Sequence, residues 1–168
     1  VTHRKEPRSC RHSVFPSSLS FKALAIARIV TDFSGGRITS DAGGLLLREV
    51  EKGTGILRRF ADCFVDHRAP EFVEHSVLDL VSQRVYGIAL GYEDINDHDE
   101  LRRDALLATL VGKIDPTGAE RVRERDRGSP LAGKSTLNRL ELAPADTEMT
   151  HRYHKIVCQP ELVDQFFV

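Results

Sequence analysis

Apolar side chains recur through residues 70–91 at Val73, Val77, Leu80, Val81, Val85 and Ile88, the i, i+3, i+4, i+7 spacing that lines one face of a helix. The pattern predicts a long core-facing helix opened by Pro70 and stopped by Gly91. Proline's missing N–H costs nothing at the first helical position, and glycine readily takes the left-handed stop. Asp97, with Glu100 three residues on, gives a D-x-x-E signal for a second, shorter helix, so the pair reads as a helical hairpin.

Shorter patterns flank this stretch. Leu46 and Val50 form an i, i+4 pair behind a Ser40 or Asp41 cap, and Ile56, Leu57, Phe60 and Phe64 predict another short helix. Asp104 is placed to cap ALLATLV ahead of Gly112, and Ser135 to cap KSTLNRLEL with Leu137 and Leu140 inward. Pro160 opens a last helix with the stripe Leu162, Val163, Phe166 and Phe167. Gly43 and Gly44 each cost a helix about 1 kcal/mol relative to Ala, so the pair predicts close packing against an unidentified partner.

Before these helices the text is β-like. Residues 23–33, ALAIARIVTDF, are apolar and β-branched, and Ser34-Gly35-Gly36 then turns the chain toward a short return at Arg37, Ile38 and Thr39. Residues 1–22 carry Pro7, Pro16 and many serines without a period, and read as a flexible basic arm. The expected fold is therefore mainly α with a short N-terminal β element, the arm at 1–22 preceding a mostly helical region at 23–168.

Composition narrows the class. A chain of 168 residues, 40% hydrophobic and 29% charged, can bury one ordinary core. No apolar run approaches the roughly 20 residues of a membrane span, and the expectation is a cytoplasmic protein with no membrane partner. Cys10, Cys63 and Cys158 are odd in number and widely spaced, which suits neither a disulfide framework nor a zinc site. Net charge is only -1, but it is segregated. Residues 1–37 hold seven Lys/Arg against two acids, residues 38–112 eight against fourteen, and residues 113–141 seven against five. Two basic stretches flanking an acidic middle suit contact with phosphates.

Three motifs bear on chemistry. Gly128-Ser129-Pro130-Leu131-Ala132-Gly133-Lys134-Ser135 satisfies G-x-x-x-x-G-K-[ST], so the alternative reading is a P-loop-like nucleotide-binding module. The preceding RVRERDR cannot be the buried strand such a loop requires. The cluster Glu93, Asp94, Asp97, Asp99 and Glu100 around His98 carries hard-cation ligands, but its spacing fails the calcium-loop pattern, and helix capping accounts for it. The third motif is KSTLNRLE. With Leu137 and Leu140 inward, Lys134, Ser135, Thr136, Asn138 and Arg139 point outward near a helix N-terminus, as side chains that meet phosphates and base edges do.

Together the motifs resemble a family, the bacterial insertion-sequence transposases of the DDE superfamily, transposase DDE domain group 1 type. The resemblance is carried by GGRITSDAGGLLL at 35–47, QRVYGIALGYEDINDHDE at 83–100 with Leu101 to Asp104, LAGKSTLNRLEL at 131–142 and RYHKI at 152–156. It implies a helical N-terminal region that binds double-stranded DNA at the element's terminal repeats, followed by a ribonuclease-H-like domain whose carboxylates hold magnesium for strand transfer. In the family the first catalytic Asp follows the helix resembling residues 161–168. No Asp or Glu of this chain matches a catalytic position, so no catalytic or metal-binding residue is assigned, and none of the chain's own residues is expected to hold a cofactor. The expectation is an N-terminal, DNA-binding portion whose catalytic domain is largely missing, nucleoid-associated, with Arg125, Arg127, Lys134, Ser135, Thr136, Asn138 and Arg139 on DNA. An apolar Val163, Phe166 and Phe167 stripe without a partner would add self-association.

Overall fold

The computed structural model describes residues 18–20, 30–32, 40–145 and 153–168, in two units spanning 1–38 and 39–168. In the first, β1 (Ser18–Ser20) pairs antiparallel with β2 (Val30–Asp32), Leu19 opposite Thr31. The strand expected around residues 23–33 is thus present at its end, and its partner comes from the segment read as an arm. The predicted return at 37–39 lies outside the described residues.

The second unit is mainly helical. After a 3-10 turn at Ser40–Gly43 come α1 (Gly44–Thr54) and α2 (Ile56–Ala61), with the Glu51 carboxylate accepting the Leu57 N–H at 2.8 Å across the junction. Phe64 was expected on that second helix. Instead it begins β3 (Phe64–Asp66), which pairs antiparallel with β4 (Ile156–Cys158), Val65 opposite Val157.

The central helix, α3, runs Val77–Ala89 rather than from Pro70. Two start signals compete here, and the one that satisfies more backbone donors prevails. Ser76 Oγ accepts the Asp79 N–H at 3.1 Å and the Asp79 carboxylate accepts the Ser76 N–H at 3.0 Å, a reciprocal capping box. Pro70 opens only a 3-10 turn, Pro70–Phe72, after which Val73 is extended. Gly91 stops the helix at φ 97° as expected.

After α3 come α4 (His98–Leu101), α5 (Ala105–Val111), α6 (Lys134–Glu141) and α7 (Pro160–Phe166). Asp104 caps α5 as expected, accepting the Leu107 N–H at 2.6 Å. Asp97 makes no cap bond; Asp94 accepts the Asn96 N–H at 2.8 Å and organises the turn before α4. Ser135 is likewise not the cap of α6, because the helix begins one residue earlier behind Gly133.

Helix α3 packs on α2, α5 and α6, and the core gathers Ala61, Leu80, Val81, Ala132, Leu137, Leu140 and Ile156. Leu80 and Val81 are fully buried as the stripe predicts, whereas Ile88 is exposed and Gln83, Tyr86 and Gly87 turn inward instead. Gly44 packs against α5: a Cβ there would sit 2.5 Å from Leu110 Cδ1, so a larger residue would force the buried Leu110 side chain to shift. Arg48 of α1 donates to the Thr109 and Leu110 carbonyls at the end of α5, where a cation complements the helix dipole. On α7, Phe166 packs on Phe60 at a centroid distance of 5.3 Å and meets the Phe167 ring edge-on at 5.0 Å, so the C-terminal stripe is not wholly without partners, though Phe167 remains exposed.

Candidate functional site

The site grows from how residues 113–133 are fastened to the helices. Asp115 accepts the backbone N–H groups of Thr117, Gly118 and Glu120, which holds its carboxyl below the usual carboxylate range. The Gly128 N–H reaches Gly118 O at 3.0 Å, and the Leu131 N–H reaches Arg102 O at 3.1 Å. At the buried end the Gln83 amide takes both backbone groups of Ala132, accepting its N–H at 3.0 Å and donating to its C=O at 2.8 Å. The same amide N–H2 lies 3.1 Å from His98 Nδ1. With its oxygen already facing the Ala132 N–H, Gln83 can only donate to that nitrogen, which puts the imidazole proton on Nε2. His98 Nε2 has no partner among the described residues, and burial holds the ring below its ordinary pKa.

This bracing sets the start of α6 beside α4. The Lys134 N–H points at Asp99 Oδ1 (3.4 Å), its ammonium lies 3.0 Å from Asp99 Oδ2, and the Lys134 hydrogen bond holds the exposed Asp99 carboxyl below its usual range. Asp99 therefore attends the N-terminus of α6 that Ser135 was expected to cap.

The same geometry removes the nucleotide-binding alternative. The chain enters residues 128–135 from a 3-10 turn at Glu124–Asp126, not from a strand. Within that segment the N–H groups of Gly128, Ser129, Leu131 and Ala132 are already spent on Gly118, Asp126, Arg102 and Gln83 rather than open to a phosphate.

What the segment does build is a polar cleft of about 310 Å³. Six cations line it, Arg102, Arg121, Arg123, Arg125, Lys134 and Arg139, against the carboxylates of Glu74, Asp99 and Asp126. Arg121 is the fixed member, donating to Ser129 O at 3.0 Å and His75 Nε2 at 3.1 Å and pairing with Glu74 at 2.7 Å. Arg102 donates to Ser129 Oγ at 3.2 Å. Arg123 and Arg125 make only long, exposed pairs with Glu74 and Asp126, worth about 0–1 kcal/mol each, and Arg139 pairs with no described residue. These three guanidinium groups can turn to a ligand at little cost. His75 stays neutral at the cleft wall, its pKa pushed down to about 4 by burial first and then by Lys113 and Arg121.

Of the residues expected on DNA, Arg125, Lys134, Ser135, Thr136 and Arg139 converge on this cleft; Arg127 and Asn138 are exposed but do not line it. Sequence reasoning missed Arg102, Arg121, Arg123 and His75. The alternating arginines at 121, 123, 125 and 127 carry a signal for two of them, whereas Arg102 and His75 reach the cleft only through the tertiary fold.

The acidic cluster around His98 does not assemble into a donor set. Asp94 caps a turn, Asp99 pairs with Lys134, Glu100 pairs with Arg103, and no group of three or more His, Cys, Asp or Glu converges among the described residues. No helix among the described residues is long and apolar enough to cross a membrane.

A mainly helical domain with a cation-lined cleft is the class these observations define. The family comparison makes it specific: residues 21–167 match the transposase DDE domain group 1 family, and the chain belongs to it. Transposases of this family act on DNA and generally use a divalent metal. No curated protein and no solved structure matches the chain.

Proposed function

We propose that this chain supplies the DNA-binding share of transposition, gripping double-stranded DNA at the terminal repeats of an insertion sequence. The observation that carries the reading is the cleft, where six cations face three carboxylates and three of the guanidinium groups are only loosely held. Such a surface neutralises phosphates, and neutralisation releases counterions, the main source of affinity for duplex DNA. In this reading Arg125, Arg127 and Lys134 meet the backbone, with Ser135 and Thr136 adding hydroxyl contacts at the start of α6. Asn138 and Arg139, one turn further along α6, read base edges. Magnesium-dependent strand transfer belongs to carboxylates of the family's catalytic domain, and the expected location is the nucleoid. Charge reversal tests the assignment: Arg123→Glu with Arg125→Glu abolishes retention of a terminal-repeat duplex in a mobility-shift assay while the thermal unfolding midpoint is unchanged. Retention equal to wild type would remove the cleft from DNA binding.

A further inference from the structure

Leu78, Ser82 and Tyr86 stand four residues apart on α3 and line a cavity of about 280 Å³ that shares no residue with the cationic cleft. Helix α1 and the end of α5 close it, with Leu110 and Val111 continuing the apolar wall that Leu78 begins. An apolar cavity of about 150 Å³ holds benzene, so this one has room for a ring and a small substituent.

The polar groups here are donors without an acceptor. Ser82 and Tyr86 are each only 4% exposed, and neither hydroxyl has a hydrogen-bond partner among the described residues. Neither is sealed from water, so both open on the cavity. Folds seldom leave two such buried hydroxyls unmatched. Burial first, and then the Glu51 carboxylate, push the Tyr86 pKa up to about 12 against the opposing effect of Arg48, so the phenol keeps its proton and can donate.

The charges point the same way. Arg48 donates to the end of α5, yet its Nε is buried without a partner and burial works against its charge. Arg58 also lines the cavity, exposed and paired with no described residue, whereas Lys52 is taken by Glu49 at 2.5 Å. The one carboxylate in the lining, Glu51, faces the Leu57 and Arg58 N–H groups at 2.8 and 3.4 Å. Three cations against one occupied carboxylate favour an anion, and the apolar wall favours one with a hydrophobic body.

We propose that this cavity binds a small carboxylate carrying a single apolar ring. The carboxylate accepts from the Tyr86 and Ser82 hydroxyls and meets the charge of Arg58, while the ring lies on Leu78, Leu110 and Val111. Inorganic phosphate can meet the same donors but leaves the apolar wall wet, so it binds more weakly.

The test titrates benzoate into the full chain at constant ionic strength, followed by proton–nitrogen correlation spectra, with benzyl alcohol and inorganic phosphate as the uncharged and the ring-free comparisons. Benzoate gives saturable shifts and nuclear Overhauser contacts from its ring to the Leu78, Leu110 and Val111 methyls, and binds roughly tenfold more tightly than either comparison, the scale of one hydrogen bond to a charged group. Tyr86→Phe lowers benzoate affinity roughly tenfold and leaves the ligand-free unfolding midpoint unchanged, because the hydroxyl it removes has no partner in the fold. Should that variant unfold, Arg58→Ala decides, since its exposed position tolerates the change and the same loss is expected. Affinity matched by benzyl alcohol or phosphate, or undiminished in the variant, overturns the proposal. So does the absence of saturable shifts, or binding whose ring contacts miss those three methyls.

Discussion

The side chain of Gln83 pairs with the backbone of Ala132 as one strand pairs with another, giving and receiving a hydrogen bond at 2.8 and 3.0 Å in a site that leaves Gln83 1% exposed. This one amide joins the central helix to the segment that delivers α6, and the cleft depends on both. Gln83→Leu keeps the volume but leaves the N–H and C=O of Ala132 buried without partners, each costing about 1–3 kcal/mol. The expected loss is about 2–4 kcal/mol in urea unfolding at neutral pH; a loss below about 0.5 kcal/mol would show that Gln83 does not brace the site.

Glycine substitutions should split by sign. At Gly87 an added Cβ would stand 2.9 Å from His98 Cε1, and that ring is held by Gln83, so Gly87→Ala costs about 1–3 kcal/mol despite its better helix propensity. At Gly53, near the end of α1, nothing lies within 4 Å of the added atom. Gly53→Ala therefore gains about 0.5–1 kcal/mol. Thermal unfolding midpoints moving in the same direction for both variants would contradict this packing.

Acid sensitivity follows from His75. Its folded pKa of about 4 lies below the ordinary 6.5, so the fold prefers the neutral ring; this contribution is complete above pH 6.5 and is lost as pH falls from 6.5 toward 4. That gap corresponds to roughly 3 kcal/mol. Burial is the main cause, reinforced by Lys113, Arg121 and Arg68 and opposed by Asp79, and the buried His98 adds a loss of the same sign. Urea unfolding at pH 7.5 and 4.5 should show the loss, and His75→Gln should reduce it. An unchanged pH dependence in that variant would mean that His75 already protonates freely in the fold.

On α7 the two terminal phenylalanines should behave differently. Phe166 packs on Phe60 with the Arg59 guanidinium 5.7 Å from its ring centre, while Phe167 is 75% exposed. Phe167→Ser is expected to reduce concentration-dependent association in sedimentation velocity and to cost less stability than Phe166→Ser, since its ring meets only Phe166, edge-on at 5.0 Å, among the described aromatic residues. Phe166→Ser should destabilise the fold by roughly 1.5–3 kcal/mol, the value of the lost burial. Association that persists in Phe167→Ser would place any self-contact elsewhere.

The helical character of the chain was legible because several signals are local. Asp104 lies immediately before the helix it caps, and Leu137 and Leu140 are one helical turn apart, so periodicity alone turns both inward. Boundaries were less legible where two local signals compete, as Pro70 and Ser76 do, because the outcome depends on which one satisfies more backbone groups. Ser135 misled for a related reason: the carboxylate of Asp99, supplied from another helix, takes the role a neighbouring residue would have filled. Pairing of Phe64–Asp66 with Ile156–Cys158 left no local trace, since both strands are only three residues long. Half of the candidate site was visible as the KSTLNRLE helix and the alternating arginines. Arg102 and His75 were not, because only the Gln83–Ala132 anchor and the folding of residues 113–133 bring them to the cleft.

The central claim, that the cationic cleft holds terminal-repeat DNA, is tested most directly by fluorescence anisotropy on terminal-repeat and scrambled duplexes across a salt series. The logarithm of affinity should fall linearly with the logarithm of salt, with a slope of roughly -3, since the cleft's excess of three cations contributes about 0.9 per phosphate. Arg125→Ala should weaken both duplexes alike and lower the slope by about 0.9, while Arg139→Ala costs roughly 1–3 kcal/mol on the repeat and far less on the scrambled duplex. Affinity that does not change with salt, or that Arg125→Ala leaves intact on both duplexes, would contradict the account.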